Sequence, residues 1–488
     1  MPRHTTSIVW FRRDLRLNDH VALERAATES ERVVCAFVLD PVLLRGPHTG
    51  APIVSVFFGS LAELRAGLRE RGSGLALLEG DALAELRTLA RRTGATALYY
   101  NLDYEPHARE RDEHVAAGFR ADGAHVAASI DHVYYGADEA CKPDGSPYTV
   151  FTPYKRRWLE RRETDPRPPV LSLAAVERKL ARAEAIGPTR DVPAPEAYGH
   201  ARSPHYPRGG EANARRILDA FVSGGIGAYA ERRNEPAVDG TSRLSPHLRA
   251  GTIGIRTCVA AAAEARRVAR GTAAGGADTW TSELIWREFY QQILAHFPHV
   301  AREPFVAAAR NLEFRDSQSD FEAWSQARTG YPIVDAALVQ LNTTGWMHNR
   351  LRMIVASFLT KHLLLDYRLG ERYFEQRLAD ADLAANNGGW QWTASTGTDA
   401  APYFRIFNPV LQSKKFDPNG DFIRSMLPAL AKLDASSIHA PWLLPPLAAA
   451  AAGVRLGRDY PPPIVDHRLA RERALATYAP VFRLPRRA

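Results

Sequence analysis

The 488-residue chain has little cysteine: Cys35, Cys141 and Cys258 stand far apart and fit neither a zinc spacing nor a redox pair. That scarcity excludes a disulfide scaffold and points to a reduced, cytoplasmic setting in which buried thiols are structural. Long hydrophobic runs are missing too. The amino end, Met-Pro-Arg-His-Thr-Thr-Ser, leads straight into a strand-like Ile8-Val-Trp-Phe11 with no apolar leader core behind its charge, and no apolar run approaches membrane-spanning length. The expectation is a soluble protein with no membrane partner. Several catalytic signatures are also absent: there is no P-loop, no His-Glu-x-x-His, no paired cysteine cluster and no nucleophile elbow. Gly225-Ile-Gly227 fits a loose dinucleotide fingerprint, but residues 214–222 before it have a helical period where that fingerprint requires a strand. Hydrolysis by metal or serine therefore has no visible machinery, and no catalytic metal is expected.

What is present suits a large globular protein. The apolar fraction of 45% supports sizeable cores, and the length implies two domains. A net charge of +8 favours an anionic partner but is mild for this length. From residue 7 to about 129, short apolar runs at 8–11, 33–39, 75–78 and 97–100 alternate with helical patterns such as 54–69 and 81–92, which predicts a doubly wound parallel sheet. Ligands of such sheets sit beyond the carboxyl ends of the strands, so the basic segment 12–16 could face a small molecule, although a solvated loop is the commoner arrangement. Prolines scattered through 160–210 mark a connector. Beyond it the periodicity is helical almost to the end, with an alanine run at 448–452 stopped by Pro461-Pro-Pro463. The expected organisation is an α/β domain over 1–130, a connector over 131–210 and an all-helical domain over 211–480.

The chemistry concentrates between residues 282 and 407. Gly345-Trp-Met-His-Asn-Arg-Leu-Arg-Met353 and Asp380-Ala-Asp-Leu-Ala-Ala-Asn-Asn-Gly-Gly-Trp-Gln-Trp392 set Trp346, Trp390 and Trp392 among carboxamides, arginines and aspartates. Rings stack, carboxamides read the edge of a heterocycle and arginines hold phosphate, so the expected guest is flat, polar-edged and phosphorylated. Thr241-Ser-Arg-Leu-Ser245 precedes Pro246 and an apolar helical run; it is either a simple N-cap or a phosphate cradle. Helical spacing places Glu283, Trp286, Arg287 and Tyr290 on one face, and Trp346, Asn349 and Arg352 on one face of a later helix.

These ordered motifs resemble the signature of the photolyase and cryptochrome flavoproteins, closest to the bacterial class I cyclobutane pyrimidine dimer photolyases, over nearly the whole chain and most strongly from Tyr229 to about Met426. The resemblance implies an FAD cofactor, active in its reduced anionic form, held by Tyr229, Thr241, Ser242, Arg243, Leu244, Ser245, Arg287, Asn349, Arg352, Asp380, Asp382 and Asn386. It implies that Asn386 faces N5 of the flavin. The resemblance further implies that Glu283, Trp286, Arg350, Met353 and Trp392 lie on the lesion side, where Glu283 and Asn349 would hydrogen-bond the damaged bases. Arg232, Arg350, Lys414 and Lys415 are candidate phosphate contacts. The N-terminal domain of the family houses an antenna chromophore, and Tyr104-Glu-Pro-His-Ala-Arg-Glu-Arg-Asp112 resembles the deazaflavin type somewhat more than the folate type. The implied partner is ultraviolet-damaged DNA, and the chain is expected to be a monomer.

One family pattern is broken. The relay that carries electrons to the flavin uses three tryptophans, of which the first is present as Trp390, while Tyr367 and Phe314 occupy the second and third positions. Phenylalanine is far too hard to oxidise, so photoreduction is expected to be slow or to use another route such as Trp324. The rival readings are a cryptochrome-type blue-light signalling protein, repair of the other major pyrimidine photoproduct, and a basic nucleic-acid-binding module without turnover. The retained lesion-side residues Glu283, Trp286, Asn349, Met353 and Trp392 favour dimer repair.

Overall fold

The computed structural model describes residues 2–170, 173–271 and 273–482. Five strands, β1 (His4–Phe11), β2 (Ser30–Leu39), β3 (Leu75–Glu79), β4 (Ala97–Asn101) and β5 (His125–Ser129), form one sheet in the order β3-β2-β1-β4-β5. Every pairing is parallel. The strands read as continuous apolar runs because helices cover both faces, so nearly every residue of β1 and β4 is buried. One side of the sheet packs Ile8, Trp10, Val34 and Leu98 against Leu86, Leu89, Val115 and Phe119 of the Ala82–Thr93 and Pro106–Ala121 helices. Burying each such side chain stabilises by roughly 1.5–3 kcal/mol, which sets the sheet's register firmly.

The doubly wound sheet is thus as expected, with β5 as an additional strand beyond the four apolar runs. Its sequence, His-Val-Ala-Ala-Ser, is too short and too small in side chains to announce itself. The Ala51–Glu70 helix is long and apolar enough by composition to cross a bilayer, contrary to the sequence expectation, yet half of its most apolar window is buried inside the fold. The Gly225-Ile-Gly227 segment lies after the Glu211–Gly224 helix and in a short 3-10 turn, so no strand precedes it. The alanine run forms the Pro446–Ala451 helix, which ends well before Pro461, so the three prolines do not stop it.

Two compact units emerge. The first comprises Met1–Ala230, Ser242–Pro298 and Ala379–Ala384; the second comprises Glu231–Thr241, His299–Leu378 and Ala385–Ala488. The sheet and the long Ala273–His296 helix belong to the first unit. The second is helical, built around the Pro332–Thr344, Asn349–Ser357 and Tyr367–Arg377 helices. The described residues contain no disulfide, with Cys35 and Cys258 buried and Cys141 half-buried.

Candidate active site

In the first unit, the basic segment after β1 is not a solvated loop. Arg12, Arg13 and Arg16 are buried and each is answered by carboxylates: Arg12 by Asp112 at 3.0 Å, Arg16 by Asp131 at 2.7 Å, and Arg13 by Asp103 at 3.3 Å, Glu105 at 3.1 Å and Asp382. A buried guanidinium must be paired, so the arginine-rich turn and the distant aspartates demand one another. Gln291 donates to both carboxylate oxygens of Asp382, at 2.9 and 3.1 Å, and Arg249 donates to the carbonyl of the adjoining Ala381. Burial alone would raise the Asp382 carboxyl, but Arg13, Arg249 and Arg287 outweigh it and hold the group far below the ordinary carboxylate range. Asp382 is therefore a buried, charged acceptor, and Asp380 beside it is buried as well.

The Ala273–His296 helix presents the expected face. Glu283, Trp286, Arg287 and Tyr290 are all half-buried, whereas Leu284, Ile285, Glu288 and Phe289 on the opposite side are buried. Trp286 stacks flat on Phe151 with ring centroids 3.6 Å apart, and the Tyr290 ring lies 5.6 Å away, tilted by 33°. Arg287 donates to the carbonyl of His132 at 2.5 Å and to that of Leu248 at 3.4 Å. Sequence reading missed Glu288. Its buried carboxylate accepts from Tyr134 N at 2.6 Å, Trp158 Nε1 at 2.7 Å, Tyr154 Oη at 3.1 Å and Tyr135 N at 3.3 Å, yet burial still pushes it up to about 7. A Glu–Arg-rich helix gives no hint of which glutamate turns inward; only the distant Tyr-Tyr and Trp donors decide it.

Residues 241–245 lead into the short Ser245–Ala250 helix, whose N-cap is Leu244 with no side-chain capping bond. The simple N-cap reading therefore fails. Thr241 and Ser242 are half-buried, Ser245 is exposed, and Arg243 adopts a left-handed φ of 50° that turns the chain sharply there. Tyr229 is buried and meets Phe221 edge to face at 5.7 Å.

In the second unit, the Asn349–Ser357 helix is capped by the His348 imidazole, which accepts from Arg350 N at 3.2 Å. Trp346 precedes this cap and so does not share a helical face with Asn349 and Arg352, a correction to the spacing argument: the turn after Gly345, itself left-handed at φ 68°, interrupts the period. Asn349 is exposed, while Arg350, Arg352 and Met353 are half-buried. Arg350 is tied by its Nη2 to Asn234 Oδ1 at 2.8 Å and lies 4.4 Å above the Phe416 ring. Arg352 Nε donates to the Met347 carbonyl at 2.9 Å. Arg232 and Lys414 are exposed.

The Leu383–Ala394 helix carries the second block. Asn386 Nδ2 donates to the Glu371 carbonyl at 3.0 Å, which fixes the amide and turns Oδ1 away from that bond. Asn387 Nδ2 donates to the Glu371 carboxylate at 2.8 Å and to Val300 O at 2.9 Å, and Gln391 joins the same network through Asn387 Oδ1 at 3.1 Å. Burial raises Glu371 to about 8, so this carboxyl is uncharged at neutral pH. Trp392 is half-buried; Trp390 is buried and meets Phe374 at 5.0 Å and Trp324 at 6.1 Å, both edge to face. Neither Tyr367 nor Phe314 has a ring contact with Trp390 among the described residues. Phe314 packs in a separate apolar cluster with Ala309, Leu312 and Tyr478.

Residues 280–480 match the FAD binding domain of DNA photolyase, and residues 7–172 match the DNA photolyase model. The chain is 41% identical to the deoxyribodipyrimidine photo-lyase of Salmonella typhimurium over 98% of each chain, and 40% identical to that of Escherichia coli K12 over 97% of this chain and 98% of the other. It belongs to the DNA photolyase family. Among solved structures, a bacterial class III photolyase from Agrobacterium tumefaciens is similar with a TM-score of 0.89 and 37% identity, covering 99% of this chain and 98% of the other. A Synechocystis cryptochrome is similar with a TM-score of 0.87 at 28% identity, covering 97% of this chain and 99% of the other. Within the first unit the donor set suits a flavin by its chemistry: Asp382 is a charged acceptor, Arg287 a cation, and the hydroxyls of Ser242 and Ser245 are hydrogen-bond donors.

Proposed function

We propose that this protein repairs ultraviolet-damaged DNA with light, splitting cyclobutane pyrimidine dimers as a deoxyribodipyrimidine photo-lyase does. The observation that carries the reading is Asn386, whose amide nitrogen is spent on the Glu371 carbonyl so that its oxygen is the group presented. It stands on a helix of a chain matching photolyases end to end. When bound and reduced, FAD supplies the photoexcited electron that opens the dimer ring. The protein's own residues position and shield. Asp382, Asp380, Arg287, Arg352, Tyr229 and residues 241–245 would hold the cofactor, and the Asn386 amide oxygen would accept a hydrogen bond from the flavin's N5. Trp286 and Trp392 stack on the flipped lesion, worth about 1–3 kcal/mol per base. Glu283 and Asn349 hydrogen-bond its base edges, with Glu283 protonated when it donates, and Met353 lies against the same lesion. Arg232, Arg350 and Lys414 contact the phosphates on either side.

Electrons that reduce the resting flavin reach Trp390 from Trp324 instead of from Tyr367, so the oxidising equivalent moves outward from Trp390 to Trp324. A tyrosine is oxidised readily only when its phenolic proton has somewhere to go. The buried Tyr367 hydroxyl has no hydrogen-bond partner among the described residues, and burial raises its ionisation well above the usual range. Trp324 in turn meets Tyr373 edge to face at 5.4 Å, and the Tyr373 hydroxyl is bonded to Asn342 Oδ1 at 2.6 Å. An antenna chromophore of the deazaflavin class in the N-terminal domain, a reduced cytosolic setting and a monomeric state complete the reading.

The test is to mix reduced protein with ultraviolet-damaged oligothymidine under blue light and follow the return of absorbance near the thymine band. Recovery that is lost in Glu283→Ala and Asn386→Ser variants supports repair at this site. A bound flavin with no light-dependent recovery would overturn it and favour the signalling role suggested by the likeness to a cryptochrome.

A further inference from the structure

The sheet's amino-terminal edge holds a group of side chains with no part in the chemistry above. His4 begins β1, Glu29 ends the Val21–Glu29 helix and His125 begins β5. One nitrogen from each imidazole and one oxygen from the carboxylate all lie within 4.8 Å of one another, with His125 Nε2 4.0 Å from Glu29 Oε2. The two imidazoles lie nearly parallel, 5.0 Å apart. Both Nε2 atoms are shielded from solvent, and neither has a hydrogen-bond partner among the described residues. A shielded imidazole nitrogen without a partner is costly unless an ion or a water fills the space beside it, and both histidines carry one, although their rings are part-exposed.

The backbone fixes all three positions. His4 pairs with Ser30 in the β1–β2 ladder, Arg3 N donates to Glu29 O at 2.7 Å, and His125 pairs with Ala97 in the β4–β5 ladder. The carboxylate is oriented as well, by Tyr99 Oη on Oε2 at 2.8 Å and Arg25 Nε on Oε1 at 3.0 Å, the kind of outer bond that steers a ligating carboxylate. We propose that His4, Glu29 and His125 form a divalent-cation site of the zinc class, with two imidazoles, one carboxylate and an open position for water, which staples the first and last strands of the sheet to the helix between β1 and β2. Zinc bonds of 2.0–2.1 Å place tetrahedral ligands roughly 3.4 Å apart, so each side chain closes by less than an ångström. The site lies at the strands' amino ends, away from the carboxyl edge where doubly wound sheets bind organic ligands. Residues 4, 29 and 125 make no sequence motif; only the parallel order β1-β4-β5 and the returning helix bring them together.

The Arg25 guanidinium is a cation beside the site, so it opposes metal binding while it orients the carboxylate. This supplies a second, opposite-signed variant. Tag-free full-length protein stripped with a chelator is titrated with Zn²⁺ by calorimetry and, in parallel, with Co²⁺ by visible absorption, which reports tetrahedral ligation directly. One equivalent is expected to bind, with a rise in melting temperature; His4→Gln and His125→Gln each weaken binding by at least about tenfold, and Arg25→Gln tightens it. Metal-free melting of the variants separates loss of the site from loss of the fold. Absence of binding, or binding that both histidine variants leave unchanged, overturns the proposal. The experiment uses neither light nor DNA, so its outcome is independent of the repair reading.

Discussion

Asp382 and Glu371 are both buried carboxyls close in sequence to the residues assigned to the flavin, and their surroundings drive them to opposite charge states. Asp382 meets Arg13 and Gln291, with Arg249 and Arg287 near, and stays ionised. Glu371 meets Asn387, with Glu375, Asp366 and Arg368 as its charged neighbours, Arg368 being paired with Asp366, and burial keeps its proton on up to about pH 8. The desolvation penalty is common to both, so the difference is made by whether the fold delivers a cation in direct contact with the carboxyl. Arginines beside one carboxyl make a fixed negative charge; amides beside the other make a neutral scaffold that holds Asn386 and Asn387.

The largest test of that contrast is Asp382→Asn. It leaves Arg13 with part of its carboxylate set gone inside the fold and is expected to cost about 3–5 kcal/mol in urea unfolding, together with retention of FAD. The paired change Glu371→Gln replaces a group that is already uncharged, and at pH 7 no loss of stability is expected. Equal destabilisation by the two substitutions would break the comparison.

The pH dependence gives the next test. Glu371 has a folded value of about 8, above the ordinary carboxyl value near 4.5, so its contribution is complete below about pH 4.5 and is lost as pH rises through 8. Across that window wild type should lose stability relative to Glu371→Gln at up to about 1.4 kcal/mol per pH unit. A gap between the two proteins that stays constant from pH 5 to pH 8.5 would show that the carboxyl is ionised in the fold.

The smallest effect concerns a neighbour of the neutral cluster and leaves repair by chemically reduced enzyme untouched. Trp324→Phe is expected to remove most light-driven reduction of the oxidised flavin and the tryptophan radical signal that accompanies it, while Tyr367→Phe changes little. Transient absorption that shows the reverse order would assign the route to Tyr367, although its hydroxyl has no hydrogen-bond partner among the described residues.

Where the sequence was legible, local periodicity carried the information. Residues 8–11 and 97–100 are unbroken apolar runs and became β1 and β4, and the face of Glu283, Trp286, Arg287 and Tyr290 followed from helical spacing alone. Trp346 was misplaced because spacing cannot see the left-handed turn at Gly345 that ends one helix and delays the next. For the basic segment 12–16 a solvated loop stood as the commoner of two readings because its anions, Asp103, Asp112, Asp131 and Asp382, stand 90 to 369 residues away.

The sequence by itself determined the family, the alternation that makes a parallel sheet, and the residue types any flavin and lesion must meet. These are properties of ordered motifs and short-range period, which survive without knowledge of packing. Only the tertiary structure decided which carboxyls are charged, which glutamate of the Ala273–His296 helix turns inward, that Trp390 meets Trp324, and that His4, Glu29 and His125 share one point. Charge state, ring contact and ligand geometry depend on distances of a few ångströms between residues far apart in the chain, and those distances come into being only when the cores close.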